Sequence, residues 1–127
     1  MAWKLLLVGV GGALGAMSRY LLGQWIAARA APDFPWGTFA INITGSLLIG
    51  FVLGLANTGR ISDEARLFLA VGALGGYTTF STFSYEALQL LTERSYTAFL
   101  GYALGQLTVG FGATWLGLIL SRIGGAR

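Results

Sequence analysis

The sequence predicts an all-α membrane protein of four transmembrane helices, the third broken near its middle. Three observations predict it. Of 127 residues, 55% are hydrophobic and only 10% are charged, and the mean hydropathy is +0.70, whereas a water-soluble domain of this size needs far more charged surface. Four apolar stretches each reach the roughly 20 residues that a helix needs to cross a hydrocarbon core of about 30 Å. One of the four is interrupted by glycines and hydroxyl residues.

The spans run from Trp3 to Ala27, Trp36 to Ala56, Ala65 to Leu91 and Thr97 to Ser121, joined by short connectors that carry charge, proline or turn residues. Residues 1–127 therefore form a single four-span membrane domain. Trp3, Trp25, Trp36, Tyr96 and Phe99 fall near span ends, where amphipathic rings favour the headgroup zone, and Trp115 falls outside that pattern. The first stretch continues through Tyr20 to Ile26, longer than the 7–15-residue core of a secretory signal, so the N-terminus is expected to be retained. With four spans both termini share a side. That side carries Lys4, Arg60, Arg66, Arg122 and Arg127 against Arg29 and Arg94 opposite, which favours cytoplasmic termini.

Cysteine and histidine are both absent. Disulfides, thiolate chemistry, imidazole ligands and a histidine base are excluded with them, and no nucleophile–base pair or metal cluster suggests an enzyme. The net charge of +3 comes without a basic run, so the sequence gives no support for nucleic-acid binding. Twenty glycines in so short a chain suit a bilayer, where small residues let helix backbones approach. Gly11 and Gly15 in the first span, Ser46, Gly50 and Gly54 in the second, and Gly101 and Gly105 in the fourth each share a stripe. Four short helices enclose little space, so transport would require an oligomer.

The third span holds Gly75-Gly76-Tyr77-Thr78-Thr79-Phe80-Ser81-Thr82-Phe83-Ser84. Paired glycines followed by β-branched threonines allow a helix break, tolerated at membrane depth only where the backbone is buried in protein or lines a polar cavity. Carbonyls freed there can ligate a cation. The other reading is a continuous helix whose hydroxyls bond to carbonyls one turn back. Phe80 and Phe83 share one face and Thr79 and Thr82 another. The rings either pack or turn their positive edges toward a poorly hydrated anion. Asn42, in the middle of the second span, is either interhelical glue or an anion donor. Arg19, a cation inside the first span, anchors a dimer through carbonyls, draws anions into a vestibule, or snorkels to the interface.

Gly11-Gly12-Ala13-Leu14-Gly15-Ala16 with Arg19-Tyr20, then Gly37 to Gly45, then Gly75 to Phe83, resemble the Fluc (CrcB) family of bacterial fluoride channels in motif order and span number. The resemblance implies a fluoride-selective channel that exports its ion by passive diffusion. It further implies an antiparallel, dual-topology homodimer in the bacterial cytoplasmic (inner) membrane, with two pores and a central structural sodium ion. Carried over by motif, the carbonyls of Gly75 and Thr78 would ligate sodium. Phe80, Phe83 and Asn42 would line the fluoride pathway, with Thr38, Ser81, Thr82 and Tyr102 as polar neighbours and Arg19 at the vestibule or dimer anchor. Two departures stand out. Similar proteins carry further hydroxyls one and two turns beyond the tyrosine, where this chain has Gln106 and Gly110, and the flanking charges are not balanced as dual topology expects.

Two other functions compete. A proton-coupled transporter of the small multidrug resistance type needs a buried carboxylate in its first helix, and that span has none; Glu86, in the third, is the one candidate. A non-transporting assembly subunit would share the glycine stripes but would not require Arg19, Asn42 or the polar third span.

Overall fold

In the computed structural model, which describes residues 1–125, every regular element is helical. Arg127, counted above among the flanking cations, lies outside the described residues. The first stretch forms α1 (Ala2–Ala27) and the second α2 (Trp36–Asn57). The third is assembled from α3 (Asp63–Arg66), a π-helical segment (Leu67–Leu74), α4 (Gly75–Tyr77) and α5 (Phe80–Thr92), and the fourth forms α6 (Tyr96–Ile123). Among the described residues α1, α2 and α6 are each long and apolar enough to cross a membrane.

Local chemistry sets the ends of these elements. α2 stops where Gly59 adopts φ +68°, the left-handed geometry of a helix C-terminus that glycine takes without steric cost, and the Arg60 amide turns back to the Leu55 carbonyl. Ser62 caps α3 by accepting from the Ala65 amide at 3.1 Å, and Asp63 and Glu64 complement the positive end of the helix. α5 closes in the same way at Arg94, φ 60°, with the Ser95 amide on the Leu90 carbonyl.

The helices pack as two pairs. α2 lies along α6, and α1 lies along the π-helical segment and α4. Glycine permits both approaches: a Cβ added to Gly15 would run into the Ala73 carbonyl, and one added to Gly50 into the Thr114 carbonyl. Gly101 differs. Nothing lies within 4 Å of the place its Cβ would occupy, so this member of the fourth-span stripe makes no close approach within the chain. Phe99 packs on the cluster of Ala87, Leu90 and Tyr102. The exterior is apolar, with Phe80, Phe111 and Trp115 among its most exposed rings.

Two features of the third stretch depart from a regular helix. From Leu67 to Leu74 the backbone winds as a π-helix, the Gly75 amide reaching back to the Ala70 carbonyl. The helix then breaks at Thr78 (φ −82°, ψ 157°) and Thr79 (φ −149°, ψ 116°), both extended. The break falls on the threonines that follow the glycine pair, while Gly75 and Gly76 themselves stay helical. Gly76 is needed small for another reason, since a Cβ there would strike the backbone of Gly12. The extended conformation falls to the β-branched pair, whose side chains suit it. The back-bonded reading holds for one residue only, as Thr78 Oγ1 donates to the Leu74 carbonyl at 2.9 Å immediately before the chain leaves the helix.

Candidate functional site

The break withdraws backbone groups from helical pairing, and the site is built from the side chains that replace those pairs. Asn42, projecting from α2, accepts from the Thr79 amide through Oδ1 and donates to the Thr79 carbonyl through Nδ2, each at 2.9 Å. One side-chain amide thus satisfies both polar groups of a single residue. Thr79 serves as N-cap of α5, its Oγ1 accepting from the Thr82 amide at 3.1 Å and donating to Thr82 Oγ1 at 3.1 Å. Thr79 and Thr82 are consequently joined as cap and first turn, not as two positions on one helix face. Ser81 Oγ lies 3.2 Å from Thr79 Oγ1 on the exposed side.

From Asn42 a string of polar side chains continues through an otherwise apolar bundle. Nδ2 also donates to Gln106 Oε1 of α6 at 3.3 Å. One turn before Gln106, Tyr102 is fully buried and donates to Glu86 Oε2 at 3.0 Å. Thr38 donates to Glu86 Oε1 at 2.8 Å. Glu86 is therefore held by a hydroxyl on each carboxylate oxygen, from α2 and from α6, which is how a carboxylate inside a helical stretch escapes the cost of burial without partners.

Aromatic rings flank this string. Phe80 and Phe83 lie 5.9 Å apart between centroids at an interplanar angle of 55°. Phe83 in turn sits 5.1 Å from Tyr102. Phe80 is 78% exposed, too exposed for a ring whose role is packing within the chain.

Two cavities meet at the string. One, of about 480 Å³, is bordered by Arg19, Thr38, Thr82, Glu86 and Thr79. The other, of about 290 Å³, is bordered by Asn42, Thr78, Thr79, Phe80, Phe83 and Gln106. Thr79 borders both. Arg19 also donates through Nε to the Gly76 carbonyl at 3.1 Å, so its charge is held beside the break instead of reaching for the interface.

Of the residues singled out in the sequence, Asn42, Phe80, Phe83 and Thr78 gather at the smaller cavity, Arg19, Thr38 and Thr82 at the larger, and Tyr102 on the string between them. Ser81 touches the string through Thr79 alone among its side-chain hydrogen bonds. Gly75 lies in the last helical turn before the break. Gln106 and Glu86 are additions to the pathway set. A glutamine and a glutamate inside hydrophobic stretches were visible signals, but their partners lie on other helices.

Residues 6–118 match the family described as CrcB-like protein, Camphor Resistance (CrcB). Curated relatives align over nearly the whole chain. A protein of Thermus thermophilus named fluoride-specific ion channel FluC is 50% identical over 123 residues, covering 97% of this chain and 94% of that protein. Proteins of the same name from Rhizobium meliloti and Phocaeicola vulgatus are 47% and 44% identical, each covering 93% of this chain and 95% and 98% of their own lengths.

Proposed function

The chain belongs to the CrcB family of fluoride channels, and we propose that it conducts fluoride between its two cavities along the polar string, working as a homodimer. It is a multi-pass membrane protein and a channel, not an enzyme. The observation that carries the pathway is the run of polar side chains in two hydrogen-bonded groups one helical turn apart, Thr38, Glu86 and Tyr102 in one and Gln106, Asn42 and Thr79 in the other, passing the rings of Phe80 and Phe83.

Fluoride is small and strongly hydrated, so a pore has to compensate for lost water at several modest sites, none strong enough to trap the ion. Hydroxyls and amides suit that task, and aromatic edges add a weak positive field without a full charge. Arg19 beside the larger cavity raises the local anion concentration. Glu86 would repel an anion, and its two hydroxyl partners offset that charge. The proton-coupled multidrug alternative has no support in the family match, and the carboxylate it would use is engaged on both oxygens.

A sodium ion fits the break. In a continuous helix the carbonyls of Gly75 and Thr78 would pair with the amides of Thr79 and Thr82. Those amides go instead to Asn42 Oδ1 and Thr79 Oγ1, which releases two neutral oxygens beside the break. A monovalent hard cation suits neutral oxygen ligands. Sodium, when bound, would draw these carbonyls together as a structural tie, and one chain supplies too few of them. A second, inverted copy completes the set. The same inversion suits a chain seated in the bacterial cytoplasmic membrane with lipid around its apolar exterior.

Efflux from liposomes tests this. Purified protein is expected to release fluoride and retain chloride, and prolonged replacement of sodium by a large organic cation on both sides is expected to abolish release. Equal loss of both anions would overturn the fluoride pathway, and unchanged fluoride release without sodium would remove the ion from the scheme.

A further inference from the structure

We propose that Tyr77 is a positioning residue for the cation: bonded to Thr44, it seats the last helical turn before the break on α2 and so holds the Gly75 and Thr78 carbonyls ready before sodium binds. The inference rests on the sodium reading above. Three consecutive residues of the third stretch meet α2 here. The Tyr77 hydroxyl lies 2.9 Å from Thr44 Oγ1. The Thr78 methyl fills the place that a Cβ on Gly45 would take, and the Tyr77 ring lies against the same glycine. Thr79 is held by Asn42 through both of its backbone groups. Asn42 and Thr44 are two positions apart and so project from different faces of α2, which clasps the break on either side of Thr78.

The direction of the Tyr77 bond follows from counting protons. Thr44 has one hydroxyl proton, and the Ala40 carbonyl at 2.7 Å and the Ile41 carbonyl at 3.1 Å can only accept it. Tyr77 is therefore the donor, and Thr44 Oγ1 accepts. Packing does not require that hydroxyl: the ring already lies on the cluster of Val52, Ala70 and Leu74, where phenylalanine would serve as well. Its place in the chain gives it a use. Gly75 and Thr78, the residues with released carbonyls, lie two positions before Tyr77 and one after it, and the backbone turns extended at Thr78. Asn42 fixes the far side of that bend. On the near side Arg19 holds the Gly76 carbonyl from α1, and Tyr77 supplies the hydrogen bond to α2. Carbonyls tied on both sides lose less freedom when a cation arrives, so they hold it more tightly.

Sodium-dependent melting tests this without relying on flux, because an ion that binds only the folded protein raises its melting temperature. The purified protein is melted in detergent across sodium concentrations, with a large organic cation keeping ionic strength constant. Tyr77→Phe and Thr44→Val are each expected to raise the sodium concentration that produces a given rise in melting temperature about fivefold, the scale of one hydrogen bond between neutral groups. The double variant should go no further than either single one, since both remove the same bond. Thr44→Ser keeps the acceptor and should keep the sodium dependence of the parent. If the bond is only glue between helices, melting drops by the same amount at every sodium concentration and the dependence stays where it was. That result, or a double variant whose shift is the product of the two, overturns the role of Tyr77 and leaves the sodium site in place. A parent protein whose melting ignores sodium would instead remove the cation on which the inference rests.

Discussion

At Thr79 the chain loses the helical partners of an amide and a carbonyl, and a single side chain from α2 replaces both. Substituting Asn42→Leu keeps the volume and removes the replacement. Leaving the two groups unpaired is expected to cost about 2–6 kcal/mol, at the usual one to three per unsatisfied group, and to abolish fluoride flux with it. Denaturation of the purified variant in detergent measures the first, liposome efflux the second; a variant as stable as the parent would show that water serves Thr79 equally well. Phe80 and Phe83 are expected to behave in the opposite way. Their rings meet at 5.9 Å, but Phe80 buries little against its own chain, so Phe80→Ile with Phe83→Ile should fold, assemble and lose flux. Undiminished efflux from that double variant would end the electrostatic role of the rings and leave simple packing.

Elements in this protein are arranged by how closely their backbones can meet. α1 reaches the π-helical segment because Gly11 and Gly15 have no side chain to hold it off, and Gly72 and Gly76 return the concession from the other side. Winding as a π-helix lets the third stretch press small residues against α1 and still deliver Thr79 to Asn42. Gly15→Ala should destabilise the fold by roughly 1–3 kcal/mol, the range for overpacking, since the Ala73 carbonyl occupies the place of the new methyl. Gly101→Ala, with open space around it, should leave the chain's stability within about 0.5 kcal/mol. Comparing the two by thermal unfolding in one detergent distinguishes glycines that set helix spacing from those that do not; equal losses would contradict the packing described here.

Considered whole, the chain has three features that the proposed homodimer would account for. Its polar string runs close to an exposed phenyl ring, its released carbonyls at the break are few, and much of its surface is apolar. The proposed second copy would answer all three, and an inverted one would bring the break of each chain to the same depth. The flanking charges pull against inversion, with five cations on the side of the termini and two opposite. Cysteine placed at the N-terminus decides between them: labelling from both faces of the membrane is expected, and labelling from one face alone would rule out the antiparallel dimer while preserving the four-helix chain.

Composition and period were enough to establish an apolar helical chain, because the demand for 20-residue apolar helices acts locally on every stretch. Motif order was enough for the family, and the mid-membrane Asn42, Glu86 and Arg19 were conspicuous as polar residues that need a reason. Their reasons were not legible. Asn42 meets Thr79 across 37 positions and Gln106 across 64, and Thr38 meets Glu86 across 48, so each pairing exists only once the helices are packed. The position of the break shows the same division. The local sequence marked the run of two glycines and two threonines without choosing among them; the close approach of α1 uses Gly76 as packing surface, and the chain opens at Thr78 and Thr79, where Asn42 takes the freed groups. Which residues are polar is written along the chain; which polar group is left without a partner is decided by tertiary structure alone, because satisfaction is a property of the finished set of neighbours.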